Sequence, residues 1–431
     1  MQGHRTPLKL RLASATALAC AHLAWCVNAA PFIPSDDAQV LERLPSRSVA
    51  EFRDLKALQA AAAKAPAELA PALALASAYV RASRVEGDPR FLGYAQAALA
   101  RWWKDPQAPT PVLVLRATIL QSSHEFDPAV VDLDTVLQRE PGNAQALLTR
   151  ATVLTVQGKF APARADCTRL ANVAPSIYAV ICTAAIDAMT GNASAAQASV
   201  QTALQSMSRV DAAARNWGET LLGEIAHRGG DAAAEAHFTA ALAADDTDLY
   251  AMAAYADWLL DQGRPAEVAA LLKDRARVDI LLLRLALAQQ ALKVPEATNS
   301  IQTLRARFDA SHARGDTVHL RENARFELSL NGDARSALRY AVDNQKVQRE
   351  AADLRVLAES AAATNDAAAL DMVRRWLDDT RIEYPAVAAI ARSARLPTEG
   401  AALPAPPAPG ATPTKPATPG VKPGVKPAVK P

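Results

Sequence analysis

Apolar residues recur at three- and four-residue steps along most of this chain, the spacing that gathers them on one face of an α-helix. Leu147, Ala151 and Leu154 make one such stripe. Gly158 follows, where a residue at positive φ is cheapest. A second stripe holds Ala163, Cys167 and Leu170, and Pro175 then stops the helix, having no N–H and a ring that clashes with the preceding turn. The same pattern stands 34 residues earlier: residues 110–143 align with 144–177. Arg116-Ala117-Thr118 falls on Arg150-Ala151-Thr152, Leu120 on Leu154, Phe126 on Phe160, Ala129 on Ala163, Asp132 on Asp166 and Pro141 on Pro175. Period-two alternation, the mark of a half-buried strand, is scarce.

One helical hairpin cannot bury two apolar stripes, so neighbours must stack, and a period of about 34 residues is the signature of such an array. These residues resemble the tetratricopeptide repeat, with small residues at Ala117 and Ala129, an aromatic at Phe126 and the closing Pro141. The resemblance implies an all-α, right-handed solenoid of stacked antiparallel helical hairpins. It implies a concave face built by the first helix of each repeat, whose residues in this register include Gln121, Gln145, Thr152, Tyr178, Asn216, Tyr250 and Asp257. It also implies ion pairs that clamp the two helices of a hairpin, Arg116 with Asp132 and Arg150 with Asp166; the alternative is that Arg116 and Arg150 bind a ligand.

The helical pattern begins near residue 49. Residues 51–63 and 67–83 read as one hairpin, and Gly87-Asp88-Pro89 opens another helix, with Trp102-Trp103 near its end capping the apolar edge of the stack. Further turns fall at Gly191, Gly229-Gly230-Asp231, Gly263-Arg264-Pro265 and Gly332-Asp333, and a closing helix at 385–395. The reading is about nine or ten hairpins between 49 and 396.

Both ends differ from this body. Residues 1–29 read as a secretory signal, with Arg5, Lys9 and Arg11 ahead of an apolar run too short to span a bilayer comfortably; a retained membrane anchor is the alternative. Val27-Asn28-Ala29 suits cleavage before Ala30, which places the mature protein in a bacterial periplasm; residues 30–48 are an extended lead-in. Residues 397–431 hold eleven prolines and close on Pro-Gly-Val-Lys repeats, a composition that cannot bury a core and predicts a disordered tail with polyproline II character. Its four lysines could touch an anionic envelope polymer; a solubilising tail is the alternative.

The formal net charge is +2, but the signal and the tail carry the excess, so the body between them is mildly acidic. That argues against nucleic acid, whose backbone demands a basic face. No phosphate loop, dinucleotide fingerprint, zincin motif or nucleophile elbow occurs. Glu224 and His227 share a helix face, but a zinc site needs a third ligand and usually a fourth, and His237 lies on the next helix. No catalytic, cofactor or metal residue is assigned. Cys167 and Cys182, the two cysteines beyond the signal, lie on helices expected to be neighbours; in an oxidising compartment they form a disulfide, or else stay as two small buried side chains. The reading is therefore a non-enzymatic scaffold or adaptor that binds a protein or peptide. The alternatives are a structural envelope protein held by its tail and, more remotely, an enzyme or metal-binding protein.

Overall fold

A computed structural model describes Asp36 and residues 48–206, 210–315 and 318–393, with side chains from Asp54 onward. The signal, the lead-in apart from its Asp36 and first helical residue, and the proline-rich tail lie outside these residues. The chain divides into two compact units, Met1–Ala57 and Leu58–Pro431. Described structure in the first amounts to Asp36 and the start of α1 (Ser48–Lys64). No strand occurs among the described residues.

The second unit is a run of helical hairpins. They are α2 (Leu69–Glu86) with α3 (Arg90–Ala98) and the short α4 (Ala100–Trp103); α5 (Thr110–Ser122) with α6 (Phe126–Arg139); α7 (Ala144–Val156) with α8 (Phe160–Leu170); α9 (Ser176–Met189) with α10 (Ala193–Ser206); and α11 (Ala212–Gly229) with α12 (Ala234–Ala244). Then follow α13 (Leu249–Asp261) with α14 (Pro265–Leu272); α15 (Asp279–Leu292) with α16 (Glu296–Ala313); α17 (Leu320–Phe326), continued by a π-helical turn (Glu327–Asn331), with α18 (Ala334–Asn344); α19 (Ala351–Thr364) with α20 (Ala367–Thr380); and α21 (Pro385–Ser393). The hairpin partner of α2 is α3, not α1 as the spacing of 51–63 and 67–83 suggested. The reason is the left-handed turn at Gly87, which folds α3 back onto α2.

Every hairpin turns on one residue in the left-handed region. Six are glycines: Gly87, Gly158, Gly191, Gly230, Gly263 and Gly332. Three are not: His124, Lys293 and Asn365. His124 occupies the register position of Gly158, and its ring stacks on Phe126 at 5.3 Å, an attraction that offsets the backbone penalty. Asn143, Asp248 and Asp366 cap α7, α13 and α20 by accepting backbone N–H groups. Ala117, Ala129, Ala151 and Ala163 are buried at the crossings, where small side chains let the two helices approach.

Consecutive repeats also touch much later ones. A side chain on Gly87 would meet Val278; one on Gly158 would meet Arg349; one on Gly191 would meet Arg381. Arg349 N donates to Val156 O at 2.7 Å, and Ala193 N to Glu383 Oε2 at 2.8 Å. Each of these pairs lies about 190 residues apart in sequence, which at 34 residues per repeat is between five and six hairpins. Met189 of α9 joins one apolar cluster with residues of α17 to α21, and Phe160 of α8 packs against it. The later hairpins thus lie against the earlier ones.

Candidate functional site

That winding brings the first helices of five successive hairpins around one small cavity. Each offers residues at helical steps: Glu224, His227 and Arg228 from α11; Tyr250, Ala254 and Asp257 from α13; Arg284 from α15; Arg321, Glu322 and Arg325 from α17; Arg355 and Glu359 from α19. Tyr384, just ahead of α21, completes the lining. The cavity holds about 120 Å³. Pockets for drug-sized ligands run from roughly 300 Å³ upward, so this one takes several waters or a small molecule, not an extended peptide.

Most of its charges are paired across helices. Asp257 receives Arg284 Nη2 at 2.8 Å and also Arg325, 68 residues further on. Burial alone would raise the Asp257 carboxyl, but the Arg284 and Arg325 guanidiniums outweigh it and hold it well below the carboxylate range. Asp261 accepts from His227 at 2.8 Å and from Arg355 Nη2 at 2.8 Å. Burial opposes ionisation there too, and these two donors bring the carboxyl down to about 2. Glu322 follows the same rule: Arg321 and Arg284 overcome its burial and lower it to about 2. Arg321 also reaches Glu350 at 2.8 Å. Asp353, fully buried, is an exception among the acids near Arg321. Desolvation prevails over Arg321 and raises it to about 6, although it accepts Glu350 N at 2.7 Å in a capping box.

The seven concave-face residues fall into three groups. Tyr250 and Asp257 line the cavity, and Tyr250 donates its hydroxyl to Glu224 at 2.6 Å. Asn216 is buried inside its own hairpin, where its amide donates to Ala241 O at 3.2 Å, so it offers no partner surface. Gln145 and Thr152 are exposed on α7, Gln121 is half-buried on α5, and Tyr178 on α9 donates to Asp211 at 3.0 Å. None of these four lines the cavity.

The ion pairs lie between the helices of their hairpins. Arg116 Nη2 lies 2.5 Å from Asp132 Oδ1, and both side chains are about nine-tenths buried. Its other branch donates to the carbonyls of Trp103 and Asp105, so the half-buried Trp102–Trp103 turn is tied to the next repeat. Arg150 clamps Asp166 of its own hairpin at 2.6 Å and Asp134 of the preceding one at 2.5 Å. Cys167 and Cys182 are bonded, with Cα atoms 5.6 Å apart, which ties α8 to α9. Glu224 and His227 turn to Tyr250 and Asp261, while His237 meets Glu219 at 2.8 Å. No group of three metal-binding side chains occurs among the described residues.

The arginines of the cavity are what sequence reading missed. Arg228, Arg284, Arg321, Arg325 and Arg355 sit on four hairpins whose motif match is weak. The i, i+3, i+4 steps were legible, but not that separate helices converge.

The period, the hairpins and the interhelical Arg–Asp clamps define an all-α, tetratricopeptide-like fold of stacked helical hairpins. No family model matches the chain, and no curated protein matches it. Among solved structures it is similar to a tetratricopeptide repeat protein from Parabacteroides merdae at 15% identity, over 66% of this chain and 98% of that one, with a TM-score of 0.32. A human IFIT1 dimer with PPP-AAAA matches at 12% identity over 80% and 87%, TM-score 0.41. The tetratricopeptide domain of P58(IPK) matches at 13% over 78% and 96%, TM-score 0.19. No helix among the described residues is long and apolar enough to cross a membrane.

Proposed function

We propose that this protein is a non-enzymatic scaffold or adaptor of the cell envelope, exported by residues 1–29, that binds a protein or peptide on the first-helix face of its early repeats. The observation that carries this reading is the split among the concave-face residues. The face at α13 narrows to a cavity too small for a chain, whereas α7 keeps Gln145 and Thr152 exposed on a rigid, clamped array. The partner surface is therefore α5, α7 and α9, with Gln121, Gln145, Thr152 and Tyr178. Amide, hydroxyl and ring groups of this kind suit an extended peptide or a loop.

Photo-crosslinking tests it. A photoreactive residue placed at Thr152 in cells should capture a defined partner from the envelope fraction. The same residue at Val131, exposed on the second-helix face, should not. Capture should also be lost when Gln145 and Tyr178 are both changed to alanine. Equal capture from both positions, or capture that ignores those substitutions, would remove the surface assignment.

A further inference from the structure

One cation in the cavity lacks the pairing the others have. Arg228 has no carboxylate within salt-bridge reach among the described residues, and its one hydrogen bond runs from Nη2 to Ala188 O at 3.1 Å. Its Nε is buried without a partner. The acids nearest it are engaged elsewhere: Glu224 accepts from the Tyr250 hydroxyl, and Glu383 accepts Ala193 N–H. Desolvation lowers the Arg228 guanidinium, and burial raises the Glu224 carboxyl, so Glu224 is a weakened counter-charge. Nε is enclosed by protein, so an acceptor in the cavity can meet only the Nη groups, and a half-buried guanidinium with no carboxylate beside it is costly until one does.

The rest of the lining restricts that acceptor. Arg284, Arg321, Arg325 and Arg355 already hold carboxylates. Ala253, Ala254 and Val356 supply short apolar walls. A doubly charged, fully hydrated anion would find one open cation and hydrocarbon beside it. A carboxylate matches the planar fork of a guanidinium, and a two- to four-carbon stem matches the walls.

We propose that the cavity between α11, α13, α17 and α19 binds a small organic carboxylate, held by Arg228, with its stem against Ala253, Ala254 and Val356. The ligand bridges helices from different hairpins and stabilises their closed packing. This site is separate from the protein-binding face of α5 to α9.

Thermal unfolding of the full chain at pH 7.5 and constant ionic strength, with acetate, propionate, butyrate or inorganic phosphate added, tests the proposal. At least one carboxylate should raise the midpoint saturably, and phosphate should not. Arg228→Gln should weaken the apparent affinity at least tenfold, with Arg228→Lys in between. Ala254→Leu fills the cavity without touching the cation and should abolish the shift; with the lysine variant it suffices if Arg228→Gln does not fold. The proposal is overturned if no carboxylate gives a saturable shift, if the shift survives in Ala254→Leu, or if phosphate matches the carboxylates.

Discussion

Arg116 shows how burial changes the worth of an ion pair. An exposed Arg–Asp pair contributes on the order of 1 kcal/mol or less, which is all that sequence spacing could promise. In the fold the pair is nearly dry, so removing one partner strands the other. Asp132→Ala should therefore cost about 3 kcal/mol in urea unfolding, since removing one partner of a buried pair costs roughly 3–5 and Arg116 keeps the Trp103 and Asp105 carbonyls. Asp134 binds Arg150 but is about half exposed, and Asp134→Ala should cost under about 1 kcal/mol. Gly191 carries a second contrast. Its φ is +76° and an added Cβ would lie 2.9 Å from Arg381 O, a backbone atom. Gly191→Ala should destabilise by at least the roughly 1–2 kcal/mol of left-handed strain. Gly229, helical with nothing within 4 Å, should gain up to about 1 kcal/mol as alanine. Equal effects at the two positions would contradict the contact with Arg381.

At the scale of elements, the early repeats were legible because glycine, alanine and proline mark their turns and crossings in the chain itself. Gly158 and Gly191 announced hairpins; His124, Lys293 and Asn365 adopt the same left-handed turn without that marker. The cavity was not legible, because Asp257 meets Arg325 only when α13 and α17 converge, and no local pattern encodes that. The placement of Cys167 and Cys182 on adjoining helices was readable from stripe and period. Their bond closes a 15-residue separation, and the chain-entropy model assigns such a loop about 3 kcal/mol. Reduction, or Cys167→Ala with Cys182→Ala, should lower the urea midpoint by a corresponding amount with the m-value little changed. An unchanged midpoint would mean that packing alone joins α8 to α9.

For the chain as a whole, the long-range charge pairs set the acid limit. Asp257, Asp261 and Glu322 titrate lower in the fold than in the unfolded chain, so the unfolded state takes up more protons as pH falls. The stability they contribute is present above about pH 5 and is lost progressively toward about pH 2. Asp353 acts in reverse: raised to about 6, it subtracts stability as pH rises through its range. Unfolding free energy measured against pH should fall on the acid side, and Asp257→Asn should flatten that limb. Residues about 190 apart meet, so that later hairpins pack against the turn ends of earlier ones. A Cβ built on Gly158 lies 3.7 Å from Arg349 Cβ, close to the mean of about 3.8 Å for a disulfide. The most direct test is Gly158→Cys combined with Arg349→Cys under mild oxidation, read by peptide mass mapping. Contact at this offset predicts a 158–349 cross-link in the monomer, with no such bond in Gly229→Cys combined with Arg349→Cys. Full thiol labelling of both introduced cysteines in the folded, oxidised protein would contradict it.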